Sequence, residues 1–312
     1  MISGQSRAKA LGVALLFVGP NLIGFLVFTL LPVVAAFLLA FCRWDLISPP
    51  RFAGPANLQD LIADEKFWYY LYNTTFLMLG VPLSMFGSMF LAIVLSRNLP
   101  GLWAYRTAFF VPSITTGVGT FILWQWIYSP DFGLANWLIR QVAGGLNAFT
   151  AAVHLPWQVH WDGPRWLQDP AWAKPALIIM GLWGSIGGTN MILYLAALRN
   201  IPPELYEAAD IDGAGAWVRF RHVTWPMLSP TTFFILIMGL IGGFQGGFAM
   251  AHVMTAGGPD GATTTISYYI YQYAYEWYEM GYAAAIALAL FAIVLIVTLV
   301  GWRLGEQRVH YE

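Results

Sequence analysis

Charge is what this sequence has least of. Asp, Glu, Lys and Arg make up 10 % of its 312 residues and sum to a net charge of −1. A soluble domain is roughly 25 % charged. So few ionic groups cannot cover a soluble globule of this size, which excludes a cytosolic enzyme. No basic run is present, so nucleic acid is not expected as a partner. Cys42 is the only cysteine, which excludes an internal disulfide framework and a cysteine-based zinc site. Among 5 histidines, His154 and His160 stand close together without a third ligand, so no metal site is expected. Neither the GxxxxGK[ST] phosphate loop nor the HExxH zinc helix occurs.

What remains is apolar. Residues of the AVILMFWYC set make up 58 % of the chain, and the mean hydropathy is +0.62. Six stretches lack Asp, Glu, Lys and Arg altogether: residues 11–41, 69–96, 108–128, 175–198, 228–255 and 282–302. Crossing a bilayer as helix takes roughly 20 such residues, and a barrel would alternate instead. The expectation is an all-α membrane protein with six transmembrane helices. Arg7 and Lys9 ahead of the first stretch could mark a signal peptide, but the apolar run is too long and no cleavage site follows. It reads as a retained helix. Both termini are expected in the cytoplasm. Arg7, Lys9, Arg97, Arg106, Arg199, Arg219, Arg221, Arg303 and Arg308 then lie inside, outnumbering Arg43, Arg51, Lys66, Arg140, Arg165 and Lys174 outside. The division is 1–68 for the first helix and outer loop, 69–302 for a five-helix core, and 303–312 for a cytoplasmic tail.

The outside segment 129–174 carries Trp137, Trp157, Trp161, Trp166 and Trp172, and is expected to lie on the membrane. The tyrosine-rich run 267–278 reads as an aromatic belt, or as rings that stack on sugars. His252 reads as interfacial. Asn21, Asn73, Thr74 and Gln125 read as glue between helices. Two glycine-rich clusters carry further polar and aromatic groups: Trp183, Ser185, Thr189 and Asn190 in one, Phe244, Gln245, Gly247 and Phe248 in the other. They suit either a path for a neutral polyhydroxylated solute or tight helix packing. No acid, base or metal set converges inside the bilayer, and no charge suited to proton coupling lies there.

The inside connection 199–227 is too long for a plain turn. Pro202 and Pro203 suit a helix start. The run 204–212 reads as a short helix with acids in its first turns, stopped by Gly213. A second helix over 216–222 is expected to end at Pro226. The pair either lies on lipid or forms a knob for a cytosolic partner.

This loop resembles the EAA motif of ATP-binding-cassette importer permeases, E-A-A-x(3)-G-x(9)-I-x-L-P. The chain has Glu207-Ala208-Ala209, three residues, Gly213, nine residues, then Val223-Thr224-Trp225-Pro226. Val223 stands for Ile and Trp225 for Leu. The run Tyr105-Arg106-Thr107-Ala108-Phe109-Phe110-Val111-Pro112 resembles the start of that family's core, and Trp124-Gln125-Trp126 with Asp131-Phe132-Gly133-Leu134-Ala135-Asn136 the helix end after it. Thr255-Ala256-Gly257-Gly258-Pro259 and Gly281-Tyr282-Ala283-Ala284-Ala285 resemble the maltose and glycerol-3-phosphate branch, first permease of the pair.

The resemblance covers nearly the whole chain. It implies the type I importer permease fold in a bacterial inner membrane, with a second homologous permease, a dimer of cytosolic ATPases and an extracytoplasmic solute-binding protein as partners. ATP and Mg would be bound by the ATPase, so this chain would hold no cofactor and would not be an enzyme. Glu207, Ala208, Ala209, Asp212 and Gly213 would form the ATPase-coupling contact. Trp183, Ser185, Thr189, Asn190, Phe244, Gln245, Gly247 and Phe248 would line the substrate path. The implied cargo is a carbohydrate: a neutral sugar, an oligosaccharide or a glycosylated polyol. A glycerol-phosphate importer permease is the runner-up, ahead of a Na⁺-coupled carrier.

Overall fold

The computed structural model describes residues 4–97, 100–115, 117–155, 157 and 161–306. His160, Arg308 and residues 307–312 of the expected tail lie outside them. Helix follows helix, because an apolar run in hydrocarbon can satisfy its backbone only within itself. Helix α1 (Gly4–Phe25) passes through a π-turn (Leu26–Leu30) into α2 (Leu31–Leu39). A small antiparallel hairpin, β1 (Cys42–Arg43) on β2 (Arg51–Phe52), pairs Cys42 with Phe52 and Arg43 with Arg51. Then come α3 (Ala56–Ala63), α4 (Glu65–Leu77) and α5 (Gly80–Leu95). Helices α6 (Leu102–Ile114), α7 (Val118–Ile127), α8 (Leu134–Ala152), α9 (Pro170–Ser185) and α10 (Thr189–Arg199) lead to the expected loop. That loop holds α11 (Pro203–Ile211) and α12 (Ala216–Arg219). The chain closes with α13 (Trp225–Gln245), α14 (Phe248–Thr255), α15 (Ile266–Tyr271) and α16 (Met280–Glu306).

Among the described residues, four runs are long and apolar enough to span a bilayer: Gly12–Leu39, Glu65–Leu95, Ala216–Gln245 and Met280–Arg303. The number reaches six if α6 with α7, and α9 with α10, each cross once. The sequence pattern treats 175–198 as one helix, but a 47° bend divides α9 from α10. It treats 228–255 likewise, but Gly246 and Gly247 divide α13 from α14.

The second helix of the inside loop also differs from expectation. Pro226 does not end it. A π-turn (Phe220–Thr224) carries α12 directly into α13, with Pro226 in the first turn. The first π-turn does the same ahead of Pro32. In both, the N–H just before the proline donates to the carbonyl five residues back, Leu31 to Leu26 and Trp225 to Phe220. The wider turn relieves the clash between a proline ring and the preceding turn of helix.

The chain divides into two compact units, 1–64 with 270–291 and 65–269 with 292–312. In the first, Ala40, Ala284 and Ala285 form a small-residue core. Gly281 lies against the Cys42 carbonyl with no room for a Cβ. Asn57 ties the turn after α2 by donating to the Ala40 and Cys42 carbonyls at 2.9 and 2.8 Å. Most large side chains of α1, the π-turn and α2 stay exposed, Phe28 of the turn at 81 %, as a helix facing hydrocarbon requires.

In the second unit, α5, α10 and α13 pack through Met85, Met89, Met191, Tyr194, Leu228 and Ile235. A second cluster joins Trp124, Tyr128, Trp166, Leu177 and Met254. Trp166 therefore departs from the membrane-surface expectation. It is buried, and its indole N–H donates to Asn136 Oδ1 at 2.7 Å. Trp137, Trp157 and Trp161 are exposed. Tyr268 and Tyr269 of the tyrosine run are likewise core residues, while Tyr275 and Tyr278 are exposed.

Asn73 holds the irregular stretch 256–265. It is fully buried. Its amide donates to the Gly261 and Thr264 carbonyls at 2.9 and 3.3 Å and accepts from Lys174 Nζ at 2.9 Å. Next to it, Thr74 Oγ1 accepts the Ile266 N–H at 3.0 Å. The Asn73→Leu variant removes the amide's bonds to the Gly261 and Thr264 carbonyls and to the Lys174 ammonium, at a cost of about 1–3 kcal/mol. A lower melting temperature of the detergent-purified protein is the expected result. An unchanged melting curve would show that the amide does not anchor this stretch.

Candidate functional site

Helix α11 opens at Pro203, whose missing N–H costs nothing in a first turn, and Glu204 lies there too. It stops at Ile211, and the chain then turns back: Gly213 N–H donates to Asp210 O at 3.1 Å and Ala214 N–H to Ala209 O at 2.9 Å. Gly213 has φ +71° and open space around it, so glycine is needed for the backbone and not for room. Two side-chain contacts fold the returning segment onto α11. Arg219 Nη1 meets Asp210 Oδ1 at 2.5 Å, and the Tyr206 and Thr224 hydroxyls share a hydrogen bond of 3.0 Å. The ion pair is partly exposed and contributes at most about 1 kcal/mol. The buried Thr224 end makes the second contact the firmer one.

The result is a helical knob. Glu207, Ala208, Asp212 and Gly213 are exposed on it, and Ala209 is half-buried. Glu207 and Ile211 stand four residues apart, on one face, and Ile211 is 87 % exposed. Leu205, Trp217 and Val218 are exposed apolar neighbours. A ladder of rings leads from the knob into the unit. Trp217 stacks on Phe220 at 5.5 Å, Phe220 meets Trp225 at 6.3 Å, and Trp225 lies nearly parallel to Phe86 of α5 at 6.3 Å.

The glycine clusters mark the two helix breaks. A Cβ on Gly187 would collide with the Phe109 backbone, and one on Gly188 would sit 3.0 Å from Ser113 Cβ. Gly247 has φ +88°, and a Cβ there would lie 2.8 Å from Thr265 Cγ2. Ser185 and Gly247 line one cavity of about 260 Å³, together with Thr74, Ser84, Gly243 and Thr265. The other expected path residues point elsewhere. Trp183 sets its edge against Trp124 at 5.8 Å. Thr189 is exposed and Asn190 half-buried at the start of α10. Phe244 is buried. Gln245 is exposed, and its carbonyl accepts from Ser267 Oγ at 2.9 Å. Phe248 stacks on His252 at 5.5 Å.

Sequence reasoning missed Ser84 and Thr265 at this cavity and assigned Thr74 to glue alone. Their signal is weak: a hydroxyl in an apolar run. Thr74 Oγ1 donates to Tyr70 O and Ser84 Oγ to Val81 O, so the hydroxyls face the cavity mainly as acceptors. Gln125 does act as glue, its amide donating to the Val253 and Met254 carbonyls at 3.0 Å each.

A family described as "Binding-protein-dependent transport system inner membrane component" matches residues 10–304. The chain belongs to this family. It is thus a multi-pass membrane component of a transport system, a transport subunit and not an enzyme. This permease is 35 % identical over 301 residues to the probable ABC transporter permease protein YesP of Bacillus subtilis, covering 95 % of this chain and 91 % of that one. It is 30 % identical over 295 residues to the trehalose/maltose transport system permease protein MalF of Thermococcus litoralis, covering 94 % and 93 %. Its fold matches a chain of a bacterial ABC transporter that imports the acidic polysaccharide alginate, with a TM-score of 0.76 at 24 % identity and 96 % of both chains covered.

The ring ladder gives a direct test. Trp225→Leu restores the family's leucine but removes the ring between Phe220 and Phe86. Each aromatic pair contributes about 0.5–1.5 kcal/mol, so the variant is expected to melt lower by a few degrees. Equal melting would mean that the ladder carries no packing energy.

Proposed function

We propose that this permease translocates a carbohydrate delivered by an extracytoplasmic solute-binding protein, driven by ATP hydrolysis in a separate cytosolic ATPase dimer. One observation carries the reading: an EAA-type loop folded as an exposed helical knob, in a chain that aligns along nearly its full length with carbohydrate permeases. MalF of Thermococcus litoralis is one, and the arabinooligosaccharides transport system permease protein AraP of Bacillus subtilis, 30 % identical over 299 residues, is another. Each bent helix pair crosses once, which gives six spans with both termini in the cytoplasm of a bacterial inner membrane. Residues 69–302 form the core with a second permease beside it, 199–227 the coupling loop, 1–68 an additional helix with its outer loop, and 303–312 a tail.

Glu207 is the charged contact to the ATPase, with Ala208, Ala209, Asp212 and Gly213 shaping the surface around it. Small residues let the partner's wall approach, and the turn at Gly213 fixes the angle between the two knob helices. The chain itself holds no nucleotide or metal; ATP and Mg belong to the ATPase. ATP-driven closure of the ATPases moves the knob, and the tie from Tyr206 to Thr224 passes that movement to α13. The path runs past the two glycine breaks, with Ser185 and Gly247 at its wall and Trp183, Thr189, Asn190, Phe244, Gln245 and Phe248 nearby in sequence. No Lys or Arg is among the residues lining the cavity, which favours a neutral sugar over a phosphate.

The test is co-purification with a co-expressed ATPase subunit. Wild type is expected to capture it, and Glu207→Ala combined with Gly213→Pro is expected to lose at least about tenfold, the equivalent of one charge-assisted contact. Failure of the wild type to capture any ATPase would favour a self-sufficient carrier.

A further inference from the structure

We infer that the first unit carries a saccharide-binding subsite of its own, in the cleft between the β1–β2 hairpin and the turn ahead of α16. The inference rests on the carbohydrate reading above. The cleft has a volume of about 500 Å³, within the range of small-molecule sites. Arg43, Trp44, Arg51, Tyr278 and Glu279 are among its walls.

Some of the polar groups there serve the architecture. The Asp45 carboxylate accepts from the Ser48 hydroxyl at 2.5 Å, the Ser48 N–H at 2.7 Å and the Ile47 N–H at 3.0 Å, closing the hairpin loop. The hydroxyl, first, and then the Ser48 N–H hold this carboxyl below its ordinary range. Arg43 pairs with Asp60 at 3.5 Å. Tyr282 donates to Asp64 at 2.9 Å.

Other groups have no such duty. Among the described residues, the Arg51 guanidinium, the Glu279 carboxylate, the Trp44 indole N–H and the Tyr278 hydroxyl have no protein partner. Together they are a donor fork, an acceptor pair and two aromatic faces. Two residues beside or in the cleft have left-handed backbone. Leu46 has φ +66° and Tyr278 φ +58°, where side-chain-bearing residues are rarely found. Opposite charges in one cleft favour neither an anion nor a cation. A neutral sugar uses all four groups: its hydroxyls donate to Glu279 and accept from Arg51, and its ring C–H face lies on an aromatic plane. With α2 ending and α16 beginning on the outer side, the subsite faces incoming solute.

The experiment uses the assembled transporter in right-side-out membrane vesicles. Cys42→Ala removes the only thiol, and Pro49→Cys then places one in the cleft wall. Uptake of radiolabelled maltose, trehalose and lactose is measured first, then the rate at which a membrane-impermeant cationic thiosulfonate labels the new cysteine. A transported sugar is expected to slow labelling roughly tenfold at about ten times its dissociation constant. Arg51→Ala and Glu279→Gln are each expected to raise the protecting concentration about tenfold or more. Ile47→Cys, on the adjoining turn, is the second labelling position should Pro49→Cys fail to assemble. Uptake without protection at either position overturns the subsite and leaves the carbohydrate reading standing. Protection by the solute-binding protein alone, without sugar, identifies a protein-docking face and also overturns it. No uptake and no protection with any of the three sugars overturns both.

Discussion

A backbone carbonyl that leaves the helix in a low-dielectric setting must find a donor within the protein, and this fold answers with carboxamides. Asn57, Asn73, Gln125 and Asn136 each direct one side-chain NH₂ at two backbone carbonyls. An amide nitrogen carries two protons, so one side chain can serve two backbone acceptors without importing charge. Each fork sits where the chain is irregular: the turn after α2, the stretch 256–265, the end of α14, and the loops around Pro130 and Pro164. These donors share the work of holding the non-helical segments with hydroxyls such as Thr74, Thr263 and Thr264 in the stretch 256–265.

The same constraint explains the helix breaks. Glycine at 187, 188 and 247 lets helices end where another backbone or side chain passes too close for a Cβ, and Gly246 sits tight against the Gly242 carbonyl of its own helix. The interruption leaves space as well as polar groups, and the glycine-lined cavity is that space. The knob uses a different device. There the helix is kept continuous through a π-turn, so that α12 and α13 run on from the exposed loop into the packed core of the second unit.

Much of this was legible in the sequence. Uninterrupted apolar runs announced helices, since no other element suits them. The spacing of Glu207, Gly213 and Pro226 announced the loop, because a glycine-stopped helix with an acidic first turn is set by local chemistry. Pro226 was misread as a terminator. Its effect depends on the turn before it, and a π-turn has no signature in composition. The cavity was half legible. In sequence the glycine clusters read as a solute path or tight packing inside unbroken helices, whereas they mark breaks. The faces presented by Phe244 and Trp183 follow from which neighbour they pack against, which one chain's periodicity does not contain. Trp166 misled for the same reason: an indole suits a headgroup layer, yet here Asn136 supplies its partner and draws it inward.

The π-turn ahead of Pro226 also sets an azimuth. An α-helix advances about 100° per residue, and a π-turn is one residue added to that count. Everything on the α12 side is therefore rotated by about that angle from where the register of α13 would put it. The compass bearing at which the knob leaves α13, and hence which way Glu207 and Ile211 look, is fixed by a single extra residue at 220–224. Two permeases with the same motif but different turns at this point would offer the same surface in different directions.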